Sequence, residues 1–188
     1  MKKFQIKYSC IVFISLSVAL TPFDLLLPMM AAVSVHEAGH LAAMLLLRVR
    51  VKSITFSAGG IDISSSLNSV NYKKTAAEYL GGCLFNILAA AVTMSFFSCF
   101  AFCCIAYATI NLLPIKPLDG AMAVTSLFCM KMLPERAGRV TDLVSVVFLI
   151  PLWMLSLYIF FYSATNFTPL LMCIFLFMSV FSNKEGVR

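Results

Sequence analysis

PMMAAVSVHEAGHLAAMLLL, residues 28 to 47, carries one glutamate and two histidines among side chains that are otherwise apolar or small. Twenty helical residues rise about 30 Å, the thickness of a bilayer's hydrocarbon core, so the stretch reads as a transmembrane helix. An ionisable side chain in the middle of such a helix costs roughly 2.5 to 3.5 kcal/mol. Glu37 with two histidines is therefore a penalty that something must offset. In a helix His36 and His40 lie on one face a turn apart, where both imidazoles can reach one ion, and Glu37 lies beside them where it can act on a water. The bland alternative is polar glue bonding neighbouring helices; Ala38 and Gly39, small residues in the same turn, would let such a helix come close.

The rest of the chain is of the same kind. Of its 188 residues 61% are hydrophobic and 12% charged, far from the balance of a water-soluble domain. A first apolar run covers residues 8 to 23 and is separated from the second, 28 to 47, by a Pro- and Asp-containing break at Thr21 to Pro28, read as a turn. No charge occurs from Tyr79 to Ile115, a length that suits two spans, 79 to 97 and 99 to 115, with a tight turn near Ser98. Residues 143 to 161 give a fifth span and 167 to 181 a short sixth. The expectation is an all-α polytopic membrane protein with about six transmembrane helices, residues 1 to 188 forming one membrane-embedded domain.

Basic residues test that topology, because Lys and Arg gather on the cytoplasmic side of short loops. With both termini cytoplasmic, all 14 fall on one side: Lys2, Lys3 and Lys7; Arg48, Arg50, Lys52, Lys73 and Lys74; Lys116, Lys131, Arg136 and Arg139; Lys184 and Arg188. Topology thus accounts for the net charge of +6, and no basic stripe with interleaved aromatics points to nucleic acid. The basic start and first apolar run lack a small-residue cleavage pattern after Leu20, which argues against a removable signal peptide. Seven cysteines without a CxxC pair read as small apolar packing residues.

A third metal ligand must come from a second element, and the candidate is Asp119 in NLLPIKPLDG, Asn111 to Gly120. Pro114 and Pro117 break the helix and let the chain turn Asp119 back toward the bundle. On its own, Asp119 reads rather as a solvated loop carboxylate after a helix end. Residues 49 to 64, VRVKSITFSAGGIDIS, alternate with period two, and Gly59 and Gly60 suit a two-residue turn. A small β-hairpin or re-entrant element is expected there, between the second and third spans. An unpaired edge beside a metal could take up an extended substrate segment by strand addition, the alternative being a plain interfacial loop.

HEAGH in a membrane helix followed by NLLPIKPLDG resembles the site-2 protease family of intramembrane zinc metalloproteases, over about residues 28 to 120. Within it the sequence is similar to the compact bacterial branch of stage IV sporulation factor B type. The resemblance implies one zinc ion per chain held by His36, His40 and Asp119, with Glu37 activating water as the catalytic residue. A further family element, a glycine, a proline and then an asparagine, looks like Gly82, Cys83, Leu84, Phe85 and Asn86, with Cys83 in the place of proline. It makes Asn86 a substrate-contacting or oxyanion-stabilising group; bonding to a neighbouring helix is the other reading. The implied activity is cleavage of a peptide bond within or near the transmembrane segment of a membrane-anchored protein, itself a regulatory or sporulation-related one. Counting from Arg48, His40 lies about 12 Å inside the cytoplasmic boundary, so cleavage is expected nearer that side.

The implied setting is the bacterial cytoplasmic membrane, with the lipid bilayer, the substrate and a membrane regulatory partner as contacts. The soluble nucleotide-sensing domain of the sporulation members is not expected here. Two other classes remain: a catalytically silent membrane regulatory or binding subunit, which loss of Glu37 or Asp119 would have marked, and an ion transporter, which usually shows repeated halves.

Overall fold

A computed structural model describes residues 3–6, 23–49, 51–57, 60–65, 71–163 and 168–182. Six helices occur among them: α1 (Phe23–Leu46), α2 (Tyr72–Thr93), α3 (Ser98–Asn111), α4 (Asp119–Cys129), α5 (Pro134–Ser163) and α6 (Thr168–Ser182). Three of them, α1, α2 and α5, are long and apolar enough to cross a membrane; α3, α4 and α6 are shorter apolar helices. The chain divides into two compact units, Met1–Asn111 and Leu112–Arg188.

In the first unit α1, α2 and α3 pack on one another. Helix α1 buries Leu26, Ala32, His36, Gly39, His40 and Met44, which at helical pitch fall on one face, and leaves Leu25, Leu27, Met29, Met30, Leu41, Leu45 and Leu46 exposed. A water-soluble helix does the opposite. Here the polar pair faces the bundle and the leucines face outward, as lipid demands. The centre of the unit is made of small residues, Ala32, Ala90, Ala101 and Cys104, which permit close helix approach. The tightest point is Gly39 against Gly81: a Cβ on Gly39 would stand 2.6 Å from the Gly81 carbonyl oxygen, and one on Gly81 2.6 Å from the Ala43 Cβ. Gly39 thus does what its size suggests, whereas Ala38 is exposed.

Helix α1 begins five residues before the second apolar run and includes most of the segment read as a turn. Pro28 falls in its second turn, where it forfeits a single intrahelical bond, and Asp24 suits a helix N-terminus. The helix ends in a Schellman arrangement: Val49 N–H donates to the Met44 carbonyl at 2.9 Å and Arg48 N–H to the Leu45 carbonyl at 3.1 Å, with Arg48 at φ 54°. Lys74 Nζ donates to the Leu47 carbonyl at 3.0 Å, satisfying another orphan acceptor at this end. The expected first span, 8 to 23, lies outside the described residues except for Phe23.

Between α1 and α2 the strands β2 (Val51–Ser57) and β3 (Gly60–Ser65) pair antiparallel, and β1 (Lys3–Ile6) joins β2 in parallel, giving the order β1-β2-β3. Gly60 pairs with Ser57 and so belongs to the strand, not to the turn proposed for it; residues 58 and 59 lie outside the described residues.

In the second unit α4 packs on α5 and α5 on α6, with Ile115, Leu149, Leu176 and Val180 as core. The run expected as a span to residue 115 stops being helical at Asn111, three residues before Pro114, because a helix cannot continue through the two prolines. Residues 112 to 118 form an irregular link. The segment after it, read as a loop, is the helix α4, whose alanines, Met122 and Leu127 suit a helix but whose 11 residues are too few to signal a span.

Candidate metal centre

The helical spacing of the HEAGH stretch does place both imidazoles on one face. His36 and His40 are 2% and 9% exposed, their rings meet edge to face at 4.7 Å, and their Nε2 atoms are 3.1 Å apart. Two nitrogens bound at about 2.05 Å to one tetrahedral zinc would be roughly 3.3 Å apart. The pair therefore converges on one point nearly as two ligands of one ion would.

What turns His40 to that point is α2. Its Nδ1 lies 2.9 Å from the backbone carbonyl oxygen of Glu78, an acceptor only, so Nδ1 carries the proton and Nε2 keeps its lone pair. A backbone carbonyl behind a ligating histidine is a usual orienting partner in metal sites. One turn further along α2, Gly82 supplies the room. A Cβ there would stand 2.6 Å from His40 Nε2 and 2.7 Å from His36 Nε2, in the place where the two lone pairs meet. The donor set and the cradle fit a borderline-soft divalent metal such as zinc.

Asn86, another turn on, is fully buried, with Nδ2 3.4 Å from His36 Nδ1. Tyr107 of α3 meets the His36 ring edge to face at 4.9 Å. Cys83 is buried with its Sγ within 4.8 Å of a ring nitrogen of His36, a third ligand-type atom on the His36 side. Glu37, half-buried, follows His36 on α1. The first unit thus brings together His36, Glu37, His40 and Asn86.

Asp119 belongs to the second unit and is the first residue of α4, half-buried, not a loop carboxylate. An acid in a helix's first turn is favoured by the dipole. The approach to it is pinned to α5: Lys116 N–H donates to Ser145 Oγ at 3.1 Å, Ser145 Oγ lies 3.2 Å from the Pro114 carbonyl, and Lys116 Nζ pairs with Asp142 at 2.8 Å. Gly120 packs against the Leu112 carbonyl, where a Cβ has no room. The partners of this link, like Glu78 and Tyr107, carry no mark in the sequence as site residues, and Gly82 is marked only as the glycine of the element that ends at Asn86. Only the spacing of 78, 82 and 86 at helical turns could have suggested that one face of α2 serves the histidines.

Comparison with solved structures finds the site-2 protease from Methanocaldococcus jannaschii at TM-score 0.69 and 14% identity, covering 97% of this chain and 91% of that one. At that identity the likeness is one of fold. Comparison with curated proteins yields no sequence match. The family model of peptidase family M50 matches residues 59–152, half of the chain, which includes Gly82, Asn86 and Asp119 and lies beyond HEAGH. M50 members are metallopeptidases. A metal-ready histidine pair in an apolar helix, the helical fold and the family match agree: this chain belongs to peptidase family M50, the site-2 protease family.

Proposed function

We propose that the protein is an intramembrane zinc metalloprotease that hydrolyses a peptide bond within or near the transmembrane segment of a membrane-anchored protein. The observation that carries this is the convergence of the His36 and His40 Nε2 atoms, 3.1 Å apart, over a glycine whose Cβ would fill the same point. Polar glue between helices needs neither the convergence nor the glycine.

His36, His40 and Asp119 hold one zinc ion per chain in this reading. When bound, the ion supplies Lewis acidity toward the scissile carbonyl and the attacking water. Glu37 takes the proton from that water and returns it to the leaving amine nitrogen. The small core around Ala32, Ala90, Ala101 and Cys104 keeps the helices close and limits water around the histidines. Strand β3 stands at the edge of its sheet, and the substrate's unwound segment adds to that edge as a further strand.

The same reading takes the chain as a single membrane domain of about six spans in the bacterial cytoplasmic membrane, both termini cytoplasmic, with cleavage nearer the cytoplasmic side. The lipid-facing leucines of α1 support the setting. A membrane-tethered regulatory protein is the proposed substrate class.

The test is zinc content of the detergent-purified chain, wild type beside Asp119→Ala, followed by a comparison of membrane-protein fragments in cells carrying wild type or Glu37→Gln. About one zinc per wild-type chain, lost in Asp119→Ala, and fragments absent with Glu37→Gln are expected. Equal zinc in both chains would refute the three-ligand site. Unchanged fragments with Glu37→Gln would leave a silent regulatory subunit as the better account.

A further inference from the structure

Residues 78, 82 and 86 follow one another at single helical turns along α2, and each meets the histidine pair differently. Glu78 offers a backbone carbonyl to His40 Nδ1, Gly82 withholds a side chain, and Asn86 sets a carboxamide against His36 Nδ1. Proton accounting for His40 is closed, since a carbonyl can only accept. For His36 the same accounting fixes what its partner must be. An Nε2 lone pair directed at the shared point requires the proton on Nδ1, so the group behind Nδ1 has to be an acceptor.

Asn86 can meet that requirement through one of its two amide ends. Its nitrogen stands 3.4 Å from Nδ1, while its Oδ1 is buried without a hydrogen-bond partner. An amide oxygen buried without a partner has lost its bonds to water and gained none in return. With the proton on His36 Nδ1 the amide nitrogen would face another donor; turning the carboxamide about Cβ–Cγ brings the oxygen to His36 Nδ1–H, gives that acceptor a partner and moves the NH2 group to the oxygen's former place. The side chain is fully buried, which suits a group that acts through His36 better than one that must touch substrate.

We infer that Asn86 is a positioning residue: its amide oxygen accepts from His36 Nδ1–H, so that one face of α2 fixes the tautomer and orientation of both metal-binding histidines. This rests on the metalloprotease reading above. It replaces an oxyanion-stabilising role for Asn86 with one upstream of the reaction, in the affinity for metal.

The test uses the full chain, wild type beside Asn86→Leu and Asn86→Asp, with zinc affinity read by chelator competition and histidine tautomers read from imidazole ¹⁵N shifts. Leucine keeps the volume and removes the acceptor; aspartate keeps the acceptor. Loss of an outer-shell partner typically weakens metal binding 10- to 100-fold, so Asn86→Leu should bind zinc about that much more weakly while Asn86→Asp binds at least as tightly as wild type. The wild-type His36 should show the Nδ1–H tautomer. Wild-type affinity in Asn86→Leu, or equal weakening in both variants, would overturn the inference. Should Asn86→Leu fail to fold, a loss of about tenfold or more in Asn86→Asp overturns it equally. An oxyanion role would leave zinc affinity untouched in all three chains. A wild-type chain that binds no zinc would bring down the metalloprotease reading and the inference with it, an outcome separate from any difference between variants.

Discussion

The histidine pair and the aspartate stretch reach their geometry by opposite means. His36 and His40 are placed by the pitch of one helix, and α2 only has to come near enough for a carbonyl and a glycine to meet them. Asp119 starts a short helix after an irregular link, and that link is held by side chains from α5, a helix whose contacts begin more than twenty residues later: Ser145 under Lys116 and Pro114, Asp142 on the Lys116 ammonium. Spacing within a helix is a local property that tolerates most surface change. A link pinned at a few points is only as well placed as its pins.

The largest effects should come from glycines at the first region. In Gly82→Ala the new Cβ collides with the tips of two imidazoles, which can swing aside while the helices stay in place. Zinc affinity should fall by about a hundredfold or more, the equivalent of roughly 2.7 kcal/mol, with helix content unchanged. Gly39→Ala meets backbone instead, the Gly81 carbonyl oxygen at 2.6 Å and the Gly82 Cα at 2.9 Å, so α1 and α2 must separate. Overpacking of that kind destabilises by about 1 to 3 kcal/mol and should lower the thermal midpoint as well as zinc content. Comparing the two variants by chelator competition and thermal unfolding separates site from scaffold. A Gly82→Ala chain that keeps wild-type zinc affinity would show that the ion does not sit where the two Nε2 atoms converge.

The second region should be damaged through its pins, and their burial ranks them. Ser145 is fully buried, and Ser145→Ala leaves the Lys116 N–H without its acceptor, which costs about 1 to 3 kcal/mol. With Asp119 as third ligand, zinc affinity should drop roughly tenfold. The Lys116–Asp142 pair is 15% and 30% exposed, so Lys116→Met should cost under about 1 kcal/mol and change zinc binding only a few-fold. Zinc titration of both variants checks the order. An effect of Lys116→Met exceeding that of Ser145→Ala would mean that charge, not the buried hydroxyl, sets the link.

How much of this could be read from the residues follows the same division. The histidine spacing, the apolar run that carries it and the break at Pro114 depend on neighbours in sequence, and each was legible. The start of α1 at Phe23 was not, because Asp24 and Pro28 look like a turn until they are placed in the first two turns of a helix, where both are tolerated. Helix α4 was hidden by its length, too short to signal a span, and β1 by pairing with residues about fifty positions away. The second tier of the site was the least visible. A backbone carbonyl at Glu78 and the hydroxyl of Ser145 act through position alone, and position comes from packing between distant segments.

Where α1 runs out, the comparison between local and remote control can be tried at a single residue. Arg48 holds φ 54° as the left-handed residue of the Schellman arrangement, a conformation that costs a non-glycine residue about 1 to 2 kcal/mol. Its N–H bond to the Leu45 carbonyl and that of Val49 to Met44 are backbone bonds, which glycine keeps. If the helix end is governed locally, Arg48→Gly should stabilise the chain by about 1 kcal/mol and raise the thermal midpoint by roughly 2 to 4 °C, with zinc affinity unchanged, since His40 lies two turns away. A lower midpoint would mean that the exposed guanidinium contributes more than the backbone strain removes. With Arg48 at the cytoplasmic boundary, as proposed, that contribution would differ between detergent and anionic-lipid vesicles, because a basic residue there gains from the negative surface. Stabilisation in detergent that disappears in such vesicles would assign Arg48 to the membrane boundary and leave the helix end itself under local control.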